Sequence, residues 1–274
     1  MDLPFAFSDS ASRAPVLGRA LVATSQPLAA QAGLDVLRAG GNAVDAALAA
    51  AITLTVVEPT GCGLGSDLFA LVCPADGAPI ALDGSGRSPR AWTRERLGPG
   101  AMPTSGWESV TVPGAVAAWS DLHERAGRAP FESLFDSAIR YAEEGYPVSP
   151  HVARLWSRAA ARWPRERFAA FHDTFLPSGR APVAGEIARL PDHAASLRAI
   201  AKTRGETFYR GDLAARIVAD SVAHGAALDA TDLADHRSEE VTPIATSVGA
   251  GPRSRSSCRH RRFTGERLPA YSSS

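Results

Sequence analysis

A chain of 274 residues with 45% hydrophobic and 21% charged side chains has ordinary globular composition, which excludes wholesale disorder and a fibrous architecture. Lys+Arg and Asp+Glu balance at 29 each, so no net field draws the chain to nucleic acid or to an anionic membrane, and a small neutral or weakly charged partner is expected instead. The length suits one large domain or two interlocked lobes.

The opening MDLPFAFSDSASRAP has no basic stretch followed by a long apolar run, so no secretory signal is expected. The longest apolar stretch, residues 46–57, falls short of the roughly 20 residues that cross a bilayer, and no membrane span is expected. Cys62, Cys73 and Cys258 are odd in number and form no CxxC pair, which argues against a disulfide framework or a zinc knuckle and for a cytoplasmic location. The seven histidines include no HExxH and no i,i+4 pair, so neither a metal nor a cofactor is expected.

In chain order, the first helix is expected from Pro27, capped by Ser25 or Gln26 and closed by Gly40 and Gly41. Asn42 then caps a second helix with Asp45 three residues on, a capping-box variant, and residues 43–55 are small and apolar enough to be buried on most sides. Pro59 ends it, because a residue before proline avoids the helical region. Residues 68–72 and 80–82 read as the two strands of a hairpin around Pro74, Asp76 and Gly77. From Pro113 the periodicity is helical, through Val116, Trp119 and Leu122, then Phe131, Leu134 and Phe135, then Val152, Leu155 and Trp156. Pro150 behind Ser149 and Pro191 ahead of Asp192 suit helix first turns, and Asp212 begins a further helix. The last stretch, residues 249–274, turns abruptly Arg- and Ser-rich without apolar periodicity and is expected to bury little.

The segment ATSQPLAAQAGLDVLRAGGNAVDAALAAAITLTVVEPTGCGLGSDLFALV, residues 23–72, resembles the opening of the gamma-glutamyltransferases and related acylases. The likeness continues in order through LDGSGRSP, VTVPGAVAAW, FDSAIRYAEEGYPVSP and DLADHRSEEVTPI, and so covers residues 17–248, with residues 1–16 as an N-terminal arm. It implies an α/β (α+β) fold with the αββα layers of the N-terminal nucleophile hydrolases, of which only the large-subunit part is present, with a mostly helical lobe at about residues 113–236. It also implies a precursor that cuts itself to expose a threonine whose own α-amine serves as base for acyl transfer. In the family that threonine lies in a Thr-Thr-His run beyond the matched region. No Thr-Thr or Thr-His dipeptide occurs here. The expectation is therefore a truncated large-subunit portion, inactive alone, that lacks its small subunit and would act with it on a gamma-glutamyl or related acyl-amide substrate.

Two residues are candidate substrate contacts. Arg87, in the turn GSGRSP, follows an expected strand, where a guanidinium can present a bidentate fork to a carboxylate; the bland reading is a surface loop arginine. The family carries an Arg-Glu-Thr-Ala-Pro turn here whose arginine binds the α-carboxylate of the glutamyl group. Counting back from the shared Pro89 puts Ser85 at that arginine's place. The glycines of residues 61–65, with Asp83 about 20 residues on, invite a dinucleotide reading, but this run follows a helix and opens a strand, which reverses the order such a loop requires. The basic tail suits a shifted reading frame in a GC-rich gene. A non-catalytic binding protein using that tail is the alternative, with affinity falling steeply with salt.

Overall fold

The computed structural model describes residues 16–100, 102–248 and 255–259, with residues 245–248 and 255–259 described by backbone alone. All of the expected N-terminal arm but Val16, and most of the basic tail, lie outside the described residues.

Helix α1 (Pro27–Arg38) starts on Gln26, whose side chain accepts from Leu28 N and Ala29 N, with Pro27 at the first helical position, where its missing amide costs no hydrogen bond. Gly41 N bonds back to Val36 O and turns the chain into α2 (Ala43–Val57). There Asn42 and Asp45 complete a reciprocal capping box: Asn42 Oδ1 accepts from Val44 N and Asp45 N, and Asp45 Oδ2 accepts from Asn42 N at 2.8 Å. Helix α2 is the centre of the core. Leu48, Ala49, Ile52, Val56 and Val57 are almost wholly buried, and the small alanines let α1 and the later helices over residues 115–126 and 136–144 approach.

A glycine-bearing turn leads from α2 into β1 (Leu68–Val72), which pairs antiparallel with β2 (Ile80–Gly84). Strand β2 pairs in turn with β5 (Glu239–Val241), so the sheet order is β1-β2-β5 and the first and last thirds of the chain meet on its middle strand. Leu82, at the centre of β2, is fully buried, and α4 (Ala115–Ala126), with Ala115, Ala118 and Trp119 buried, packs against the strand.

A short α3 (Arg94–Leu97) precedes α4. Residues 131–135 wind as a 3₁₀ turn rather than the α-helix their spacing suggested, since they follow Pro130, whose carbonyl accepts from both Ser133 N and Ser133 Oγ. The helical lobe continues with α5 (Asp136–Glu144), α6 (Pro150–Arg162), α7 (Ala169–Phe175), α8 (Pro191–Thr203), α9 (Glu206–Arg210), α10 (Asp212–Ala223) and α11 (Ala230–Ala234). Its one strand pairing among the described residues is that of β3 (Tyr146–Pro147) with β4 (Ile187–Ala188). Ser149 Oγ caps α6, with Pro150 at its first position. Strands β6 (Ile244–Val248) and β7 (Arg255–Arg259) form an antiparallel ladder. Part of the basic stretch is thus extended and paired, because a ladder needs only backbone groups and not an apolar pattern.

Candidate functional site

The turn after β2, residues 83–87, is assembled from three parts of the chain. Asp83, the last residue but one of β2, is almost buried, and its Oδ1 accepts from Ser85 N at 2.8 Å and from Ser85 Oγ at 2.7 Å. Gly86 N donates to Asp67 Oδ1 at 3.0 Å, and Arg87 O accepts from Val112 N at 2.9 Å. Two backbone crossings admit no side chain: a Cβ on Gly86 would lie 1.4 Å from Val112 O, and one on Gly114 would lie 1.9 Å from Gly84 O. The 83–87 and 112–114 segments therefore touch backbone to backbone, which explains their glycines as a packing requirement.

The loop that supplies Asp67 also holds the start of α4, since Ser66 O accepts from Gly114 N and Ala115 N. Within it, Gly63 N donates to Ser66 Oγ at 2.9 Å. The glycines of residues 61–65 thus serve a tight helix-to-strand turn, as the element order implied.

A third segment closes the turn from outside. Arg87 pairs with Glu239 at the entry of β5, Arg90 N donates to Asp232 Oδ1 at 3.0 Å, and the Arg90 guanidinium pairs with Asp235. The Arg87 side chain is 83% exposed and the Ser85 side chain is tied to Asp83. The two sequence candidates are therefore neighbours in one turn but face different partners. Residues 232–239 were legible as a family segment, yet nothing local in them signalled that their acids brace this turn.

Under the turn, Tyr209 Oη donates to Pro113 O at 2.8 Å and accepts from Ala117 N at 3.0 Å. Burial pushes its phenol well above the usual value, so it stays a protonated clamp on the start of α4. His236 stacks on Tyr209 with ring centroids 5.5 Å apart and is only 9% exposed. Burial lowers its pKa, which keeps the ring neutral, while Asp121 and Asp67 oppose that shift. His236 Nε2 has no hydrogen-bond partner among the described residues.

Asn42 and Asp45 are structural. Besides capping α2, the fully buried Asp45 carboxylate accepts from Arg128 N and Ala129 N, and Asn42 Nδ2 donates to Ala126 O. Cys62 and Cys73 are free thiols, and burial raises the Cys62 pKa. Among the described residues no group of three or more His, Cys, Asp or Glu side chains is placed to hold a metal, and no helix is long and apolar enough to cross a membrane.

The chain spans less than half the length of the curated relatives it matches. It is 37% identical over 224 residues to the oxamate amidohydrolase proenzyme of Klebsiella pneumoniae, covering 79% of this chain and 42% of that one. It is 36% identical over 229 residues to a glutathione hydrolase-like proenzyme of Bacillus subtilis, covering 82% and 43%. Among solved structures, a cephalosporin acylase from Bacillus halodurans superposes with a TM-score of 0.79 at 46% identity, over 88% of this chain and 48% of that one. The gamma-glutamyltranspeptidase of Helicobacter pylori gives 0.79 at 26% identity, over 92% and 72%. These neighbours carry the N-terminal nucleophile hydrolase fold expected from the sequence. The sequence profile of the Gamma-glutamyltranspeptidase family matches residues 29–254, and with the mixed helix-and-sheet fold just described, the chain belongs to the gamma-glutamyltranspeptidase family.

Proposed function

We propose that this chain is the large-subunit portion of an enzyme that cleaves an acyl amide by acyl transfer, to water or to an amine. The nucleophile is a threonine supplied by a C-terminal partner segment. The observation that carries this reading is the 46% identity to an acylase across 88% of the chain at a TM-score of 0.79, while that acylase extends over about twice the length. Two further relatives named as proenzymes fit a precursor matured by cleavage. In this reading the 83–87 turn faces the acyl group, and Asp67, Tyr209 and residues 232–239 fix its position.

A freshly exposed threonine suits the chemistry because its hydroxyl and α-amine sit within proton-transfer distance, so one residue attacks the amide carbonyl and takes the proton. The large-subunit chain contributes substrate positioning, the part of catalysis that depends on rigid geometry. The test is to express this chain in one precursor with the C-terminal half of such an enzyme. Maturation is expected to yield two fragments, the smaller beginning with threonine, and turnover of an acyl anilide; residues 1–274 alone are expected to turn over none. A precursor that stays whole yet cleaves anilides would reject the threonine mechanism.

A further inference from the structure

A cleft of about 870 Å³, the size of a small-molecule site, opens in the helical lobe, and no residue of the 83–87 turn lines it. Three segments wall it: the loop Thr104–Val110 ahead of α4, the α6–α7 connection from Trp163 onward, and the end of α10 at Asp220 and His224. The walls are braced from within the chain. Trp107 packs on the cluster of Val112, Ala214, Leu228 and Leu233, and its Nε1 donates to Asp220 Oδ2 at 3.1 Å, so the indole is fixed between core and helix. Trp163 and Phe168 meet edge to face at 4.9 Å, and Pro164 O holds their turn by accepting from Arg167 N and Phe168 N. Phe171 adds a fourth half-buried ring.

Such rings take up the apolar body of a ligand, and the charges around them select its head. Glu108, Glu166 and Asp220 put three carboxylates on the wall, against Arg167 and His224. Neither Glu108 nor Glu166 has a cationic partner among the described residues. Arg167 lies over the Phe168 ring, 5.3 Å from its centroid, and beside Gly106, where it joins the two turns. It keeps N–H donors for one anionic group, yet the wall stays net negative even with His224 protonated, and aromatic faces attract a cation and repel an anion. The C-terminal end of α10 adds the negative pole of a helix dipole.

We propose that this cleft binds an organic cation with an apolar or aromatic body, an arylalkyl amine or quaternary ammonium. Glu108 and Glu166 take its charge, and the rings of Trp107, Trp163 and Phe168 take its body. The proposal does not depend on the acyl-transfer reading above.

The test uses the whole chain joined in one precursor with the C-terminal half of such an enzyme, and three probes of one carbon skeleton: 3-phenylpropylamine, 3-phenylpropanol and 3-phenylpropionate. Titration calorimetry, with tryptophan fluorescence as a second readout, is expected to show the amine binding at least about fivefold more tightly than the alcohol, and the propionate most weakly. Glu108→Gln with Glu166→Gln is expected to bring the amine within about twofold of the alcohol, whose own affinity barely moves. Trp163→Ala is expected to weaken all three; should it fail to fold by circular dichroism, the glutamine pair, which keeps the side-chain shapes, decides alone. The alcohol or the propionate binding as tightly as the amine overturns the proposal. So does binding by none of the three, an amine affinity that the glutamine pair leaves unchanged, or a folded Trp163→Ala that binds all three as before.

Discussion

Two carboxylate-centred junctions sit about 40 residues apart in sequence and follow opposite designs. At the α1–α2 junction, Asp45 is fully buried, and its oxygens are filled by backbone amides from its own helix start and from residues 128–129. At the 83–87 turn the acids are spread over Asp67, Asp83 and Glu239, drawn from distant segments, and the Arg87–Glu239 pair is exposed on both sides. The contrast teaches that burial, more than charge, decides what a carboxylate contributes. A buried acid met by fixed amides stabilises strongly, because losing it strands several donors at once, whereas an exposed ion pair is screened and contributes little.

The largest expected effect breaks the first junction. Asp45→Ala leaves the part-buried amides Asn42 N, Arg128 N and Ala129 N without their acceptor, and unfolding free energy is expected to fall by about 3 kcal/mol or more. Urea denaturation followed by circular dichroism measures it, and a loss under about 1 kcal/mol would place Asp45 with the exposed acids. Next comes the backbone crossing of the second junction. Gly86→Ala must displace Val112 O by over an ångström, and a loss of about 2 kcal/mol is expected, accompanied by a change in the environment of Tyr209 visible in near-ultraviolet circular dichroism. An unperturbed Gly86→Ala melt would mean the two segments part easily.

The third prediction concerns pH. His236 is held below the ordinary histidine value by burial, and His193 is held down for the same reason. The unfolded chain therefore binds these protons at higher pH than the folded one, so stability is full above about pH 6.5 and declines as pH falls toward the depressed folded values. Melting temperature across pH 7.5 to 5 should drop, and His236→Gln should flatten part of the slope. A slope that is unchanged in the variant would show that His236 binds its proton equally in the folded and unfolded states over that range, so that burial does not hold it down. The smallest effect is Arg87→Ala, expected to change stability by less than about 0.5 kcal/mol, because its partner is exposed and solvent replaces the pair. A larger loss would make this pair a true brace of the turn and bring the two junctions closer together.

The elements whose partners lie within four residues were legible in the sequence. Gln26 with Pro27, Asn42 with Asp45, and Ser149 with Pro150 announced three helix starts, because a cap satisfies amides one turn away and the spacing alone carries the information. The β1–β2 hairpin was legible for a similar reason, although β2 runs on to Gly84, where the extra residues are held by Phe69 and Leu68 across the ladder. The 3₁₀ winding of residues 131–135 was not, since apolar spacing of three and four residues serves both helix types and the hydrogen bonding to Pro130 decides between them.

For the candidate site the division is sharper. The sequence by itself determined that Ser85 and Arg87 share one turn after a strand, and that glycines flank it. Only the tertiary structure decided that Glu239 matches Arg87 from 152 residues away, that Asp67 takes Gly86 N, and that Val112 leaves no space for a Cβ on Gly86. The physical reason is that a residue's chemistry is local but its hydrogen-bond partners are not. Whether a turn offers donors or acceptors depends on which of its groups distant segments have already claimed, and that is settled only when the chain has folded around it.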